Sequence, residues 1–310
     1  HSRVTTCVMA LSSTETVWNL DTVDKKTRST WLEEIDAVVF DCDGVIWSGK
    51  KMIIGADTTI AYLKSIGKKV LFLTNNSSKT TAAFKKKFDG FSIPVQASDL
   101  MSSNRATTEY LIKHGFVGKT VYVIGESALH ESFRAAGITT LGIDDANKQY
   151  ADLNEDTKTR MAKDKVSAVV IGWDSTFNYY KLTVASMYIR YYNAKFICTN
   201  RDAAAPYIDG TLVPGNGASV AALEAACGVT PINCGKPSQD LAQLLIDTQA
   251  LVPTRTLMVG DRLDTDIEFG NRACMQSLLV LTGVTAEKSA DEMLQGTYSG
   301  PTVPTAVASS

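Results

Sequence analysis

The chain has 310 residues, 45% of them hydrophobic and 21% charged, with a formal net charge of −2. That length allows one large domain or two ordinary ones, and the composition is that of a globular protein able to bury a core without staples. The charge balance excludes a basic field drawing the protein to nucleic acid or an anionic membrane, and no apolar run approaches a membrane span, so neither is expected as a partner.

The first residues carry one Arg and a broken apolar patch rather than a secretory pattern. They open His-Ser without Met, so they are expected to be disordered or left over from expression, with Met9 a candidate start. The six cysteines form no Cys-x-x-Cys, so scattered, reduced thiols in a cytoplasmic protein are expected. The overlapping sequons of Asn75-Asn76-Ser77-Ser78 are set aside for want of a signal peptide.

"AVVFD" (37–41) is a short apolar run that predicts a buried strand, with Gly44 as a turn. "GADTTIAYLKSIG" predicts a helix, with Ile60, Leu63 and Ile66 at helical spacing. "KKVLFLTNNS" predicts a second strand. "SKTTAAFKKKF" and "DLMSSNRATTEYLIKHG" predict helices. A new strand begins at "KTVYVIGE", followed by a helix through "SALHESFRAAG" and the short "ITTLGI". The polar stretch 147–165 is expected to be exposed. "VSAVVIGW" and "KFICTN" predict strands around a helix at "YYKLTVASMYIRYYN". The turn-rich segment 201–219 reads as a connection, with "GNGAS" as a helix entry rather than a dinucleotide loop. Helices at "VAALEAACG" and "SQDLAQLLIDTQA" lead to strands "RTLMVGD" and "QSLLVLT", which flank a helix near 265–273. Alternating strands and helices predict an α/β fold with a parallel sheet covered on both faces.

In such sheets ligands bind beyond the carboxyl ends of the strands. Asp41 and Asp43 stand at one predicted strand end, Thr74, Asn75, Asn76 and Ser77 at another, and Asp261, Asp264 and Asp266 at a third. Lys236 stands in a predicted loop. Carboxylates, amides, a hydroxyl and one ammonium suit phosphoryl transfer. The carboxylates can hold a hard cation through oxygen, and one of them can attack phosphorus while a second donates a proton to the leaving oxygen.

Asp41-Cys42-Asp43-Gly44, Thr74-Asn75-Asn76-Ser77, Lys236 and Gly260-Asp261-Arg262-Leu263-Asp264-Thr265-Asp266 match, in order, the four motifs of the haloacid dehalogenase superfamily. With "TGVT" at 282–285, the chain resembles its 4-nitrophenyl phosphatase, phosphoglycolate phosphatase and pyridoxal phosphatase group from about 35 to 285. The resemblance implies a Rossmann-like core with a large inserted α/β cap. The core would span 1–102 and 216–310, and the cap 103–215, with "WSGKKMIIG" as a hairpin flap that gates solvent. It implies Asp41 as nucleophile, Asp43 as general acid and base, and Lys236 neutralising nucleophile and phosphate. Thr74, Asn75 and Asn76 would line the phosphate pocket. Mg²⁺ would take Asp41 and Asp261 by carboxylate and Asp43 by backbone carbonyl, with Asp266 in support through water or Lys236.

The expected activity is hydrolysis of a small phosphorylated metabolite, with pyridoxal phosphate, a sugar phosphate, a nucleotide or transfer to a second hydroxyl as alternatives. A dehalogenase is disfavoured because Asp43 would have no use, and a non-catalytic relative because the set is intact. Where pyridoxal phosphatases carry a substrate-contacting histidine, this chain offers Ala205, which weakens that assignment. Asn200 and Asp202 are candidates for shaping the pocket mouth. Cys42 is expected to pack rather than act as a redox switch, His114 and His130 have no assigned role, and Asp264 is expected to open a helix by accepting backbone N–H bonds. The tyrosine-rich helix at 179–192 is expected either to fill the cap or to join two caps in a homodimer.

Overall fold

A computed structural model describes residues 16–206 and 211–310. Cys7, Met9 and the expectation about the first residues lie outside the described residues. The chain divides into two compact units, one of 1–73, 90–95 and 237–310, the other of 74–89 and 96–236.

In the first unit six strands lie side by side, all parallel. Their order is Trp18–Asn19, Ala306–Ala308, Gln276–Val280, Thr256–Gly260, Ala37–Phe40 and Lys69–Thr74. Val38, Val39, Val70, Leu71, Met258 and Val259 are buried, which is why these strands are near-continuous apolar runs. Phe40 and Phe72 are register partners and stack with ring centroids 6.3 Å apart. This register brings the carboxyl ends of the central strands to one edge, where Asp41 and Asp261 emerge. The predicted flap is a hairpin of Trp47–Ser48 against Lys51–Met52.

Three elements of this unit have no periodic signal. The strands Trp18–Asn19 and Ala306–Ala308 are too short for one. Helix Lys25–Glu34 buries only Trp31, so it has no apolar stripe. Its start is set by Asp24, whose side chain accepts the N–H groups of Lys26 and Thr27.

The second unit holds a five-stranded parallel sheet. Its order is Ile232–Asn233, Lys195–Cys198, Val166–Ile171, Thr120–Ile124 and Thr139–Leu141. One face packs Tyr122, Val169 and Cys198 against Tyr180, Val184 and Tyr188 of helix Tyr179–Tyr192. The other packs Val121, Val170 and Ile197 against Leu111 and Phe133. The tyrosine-rich helix therefore fills this core with one side, while Tyr179 and Tyr191 stay exposed.

This unit differs in extent from the expected cap of 103–215. Helix Asn216–Cys227 buries Val220, Leu223 and Cys227 in the same core as Tyr188, which carries the unit to 236. Leu100–Ser102, expected in a helix, is a strand, and Ser102 caps helix Ser103–Lys113 by accepting the Arg105 N–H. Within the stretch expected to be exposed, helix Glu155–Asp164 turns Met161 into the core. The expected connection contains a hairpin of Ala204–Pro206 against Leu212–Pro214. No helix among the described residues is long and apolar enough to cross a membrane.

Two buried polar groups in this unit have measurable consequences. Lys181 Nζ lies 2.6 Å from Asp174 Oδ2 and 2.8 Å from Thr176 Oγ1, with both charged side chains buried. Asp174→Ala leaves an uncompensated buried ammonium. It is expected to cost about 3–5 kcal/mol in urea unfolding, and an apolar replacement of both partners is expected to recover most of it. His130 is buried, and neither ring nitrogen has a hydrogen-bond partner. Burial, then the nearby Arg134 and Lys181 cations, push its imidazole from 6.5 down to about 4. The unfolded chain takes up that proton first, so stability should fall as pH drops through this window. Urea midpoints at pH 7 and pH 5 should differ less in His130→Leu than in the wild type.

Candidate active site

Asp41 continues the strand Ala37–Phe40, and its N–H donates to Val259 O at 2.9 Å, keeping it in line with the neighbouring strand. Asp261 follows Thr256–Gly260, and Asp266 lies in a π-helical turn, Leu263–Ile267. Carboxylate oxygens of Asp41, Asp261 and Asp266 all lie within 4.8 Å of one another, and all three residues are buried. Unit charges this close repel by roughly 3–4 kcal/mol per pair at an effective dielectric of 20. The donors are all oxygen, which is the set a hard divalent cation takes.

The expected supporting residue, Asp266, thus stands within the carboxylate group itself. The Asp43 carboxylate is held differently, with Oδ1 accepting Trp47 Nε1 at 2.8 Å from the buried indole of the flap. Asp264 does not open the helix as expected. It is mostly exposed and pairs with the Arg262 guanidinium at 2.8 Å, while the backbone N–H of Arg262 goes to Asp266 Oδ2 at 3.1 Å.

Small residues make room for this group. A Cβ on Gly260 would lie 2.1 Å from Asp266 Cβ. Gly44 has φ +90°, and a Cβ there would lie 2.5 Å from Asp261 Oδ2. On Gly283 a Cβ would lie 1.9 Å from the same oxygen. The "TGVT" segment folds over Asp261. Val284 N–H donates to Asp261 Oδ2 at 2.7 Å, Thr285 N–H to Asp261 O at 3.1 Å, and Thr282 Oγ1 to Gly44 O at 2.5 Å.

The second unit begins at Thr74, the last residue of its strand. Thr74 Oγ1 accepts the Asn76 N–H at 3.1 Å, and Asn76 Oδ1 accepts from Ser78 N at 3.0 Å and Ser78 Oγ at 2.7 Å. The Asn75 amide meets the peptide of Lys236, giving Oδ1 to its N–H at 2.8 Å and Nδ2 to its carbonyl at 3.2 Å. Lys236 is buried rather than a surface lysine. Cys42 is fully buried, as a packing residue would be.

Two residues that hold this loop had no motif to mark them. Ser103 Oγ donates to Asn75 O at 2.6 Å, and Asn104 Nδ2 donates to Lys79 O at 3.3 Å and Ala128 O at 3.1 Å. Their signal was only a polar run at a helix start. Gly283→Ala should displace Asp261, and a divalent cation taken by the three carboxylates should then bind about 10–100-fold more weakly, read by titration calorimetry with Mg²⁺. Unchanged affinity would separate Asp261 from the cation.

Two family models match the chain, haloacid dehalogenase-like hydrolase over residues 38–139 and HAD-hydrolase-like over 233–308. Phosphoglycolate phosphatase 2 of Arabidopsis thaliana is 40% identical over 263 residues, covering 83% of this chain and 86% of its own. The solved p-nitrophenyl phosphatase of Archaeoglobus fulgidus is 25% identical, with a TM-score of 0.75 over 89% of this chain and 96% of its own. A glycerol phosphate phosphatase of Mycobacterium tuberculosis, solved with magnesium, is 29% identical, with a TM-score of 0.71 over 89% of this chain and 76% of its own. The ordered motifs, the parallel sheet with Asp41 at its carboxyl edge, and these likenesses agree that the chain belongs to the haloacid dehalogenase-like hydrolases, among their phosphatases.

Proposed function

We propose that the protein is a divalent-metal-dependent phosphatase of small phosphomonoesters, with Asp41 as nucleophile. The observation that carries this reading is the buried group of Asp41, Asp261 and Asp266, a set of oxygen donors that fits Mg²⁺. Asp41, Asp261 and Asp266, with the Asp43 carbonyl, would hold the ion. Bound there, it would offset the repulsion between carboxylates and a dianionic phosphate and polarise the phosphoryl oxygens.

In this reading the Asp41 carboxylate attacks phosphorus, and the bond to the ester oxygen breaks. The Asp43 carboxyl gives its proton to that oxygen, so the alcohol leaves neutral. The aspartyl-phosphate on Asp41 is then attacked at phosphorus by water, whose proton passes to the Asp43 carboxylate, restoring both groups. Trp47 Nε1–H, bonded to Asp43 Oδ1, holds that carboxyl in one orientation between the two steps. The Lys236 ammonium would neutralise the phosphate that Thr74 and Asn76 line.

The substrate class we infer is a short phosphorylated metabolite of the phosphoglycolate or glycerol phosphate kind. The relatives' names support this, and Ala205 lacks the polar ring that pyridoxal phosphatases place there. Hydrolysis of phosphoglycolate, glycerol phosphate, pyridoxal phosphate and 4-nitrophenyl phosphate, each with Mg²⁺ and with chelator, tests both levels. Turnover should need the metal and favour the first two. Asp41→Asn should lower it about 10³-fold or more without changing the melting temperature. No turnover of any of the four with Mg²⁺ would overturn the reading.

A further inference from the structure

The "GNG" stretch at 215–217 does more than open a helix. A Cβ on Gly215 would lie 2.2 Å from Asp202 O, and one on Gly217 would lie 2.5 Å from Arg201 O. These glycines therefore let the 201–203 backbone close onto the helix start. Gly217 N–H donates to Asp202 O and Gly215 N–H to Ala203 O, both at 2.9 Å, and Asn216 Nδ2 donates to Asn200 O at 2.8 Å. The backbone of Asp202 is thereby fixed.

Its side chain reaches the other way. Asp202 Oδ2 accepts Asn75 Nδ2 at 2.9 Å and also accepts Asn200 Nδ2. A carboxylate only accepts, so it dictates which end of the Asn75 amide faces it. The opposite end must then present oxygen to the Lys236 N–H. Gly235 lets the two meet, because a Cβ there would lie 2.7 Å from Asn75 Oδ1 and 2.5 Å from Thr199 O.

The donor count is decisive. An Asn amide has two N–H donors. Those of Asn75 go to Asp202 Oδ2 and Lys236 O, and its oxygen is taken by Lys236 N–H. We infer that the Asn75 side chain is not a phosphate ligand: Asn75 and Asp202 are positioning residues that act on the reaction through Lys236. This rests on the phosphatase reading, which gives Lys236 its phosphate.

A double-mutant cycle on kcat/KM with 4-nitrophenyl phosphate and Mg²⁺ tests it. Asn75→Ala and the isosteric Asp202→Asn should each lower kcat/KM about 10-fold or more, and the double variant should be no worse than Asn75→Ala alone. Wild-type rate in Asp202→Asn, or losses that multiply in the double variant, would overturn the linkage. Calorimetric titration with inorganic phosphate makes the second test. Lys236→Ala and Lys236→Ala/Asn75→Ala should bind phosphate equally, because Asn75 has nothing left to position. A further loss in the second variant would put the Asn75 amide on phosphate and overturn the inference. An inactive wild type would instead remove the phosphatase reading, and the inference with it.

Discussion

Three buried carboxylates in mutual reach repel one another, and most of the local structure at the rim of the first unit answers that repulsion. Asp261 receives a backbone N–H from Val284, and Asp266 receives one from Arg262. Each of these N–H dipoles faces a carboxylate oxygen and so lowers the electrostatic cost of holding the three side chains together. The π-helical turn at Leu263–Ile267 brings Asp266 into the group. The missing side chains of Gly44, Gly260 and Gly283 leave the space these carboxylates occupy. The donor set that results is all oxygen, the kind a hard divalent cation takes.

The second unit solves a different problem with the same tools. It too carries a polar cluster, but one made mainly of neutral amides joined to one carboxylate and one lysine peptide. Asp202, Asn75 and the Lys236 backbone form a chain of bonds in which each partner fixes the next. Such a chain has one low-energy arrangement, since flipping one amide leaves a donor facing a donor. Rigidity here comes from satisfied hydrogen bonds and close glycine contacts rather than from charge.

The strands that carry these residues were legible because a parallel sheet covered on both faces demands apolar runs, and "AVVF", "KVLFLT" and "TLMV" are such runs. Helix Glu155–Asp164 was not, because only Thr157 and Met161, one turn apart, are buried and most of the other residues are charged. The strand Leu100–Ser102 was hidden inside a helical pattern that starts one residue later. At the site, Asp41, Asp43, Lys236 and Asp261 stood out by order and spacing. Ser103 and Asn104 carried no such mark, since their partners are backbone oxygens 24 to 28 residues away, and Asp202 was marked only as a candidate for the pocket mouth, because its partner Asn75 stands 127 residues away.

By itself the sequence determined the family, the α/β class, and which strand ends carry carboxylates, because those depend on residue type and short spacing. Only the tertiary structure decided that Asp266 stands with Asp41 and Asp261, that Asp264 turns outward to Arg262, and that the Asn75 amide is spent on Asp202 and Lys236. The reason is geometric. A side chain's role at a strand end depends on the direction of one turn of backbone and on which distant peptide meets it. Neither is encoded in local periodicity.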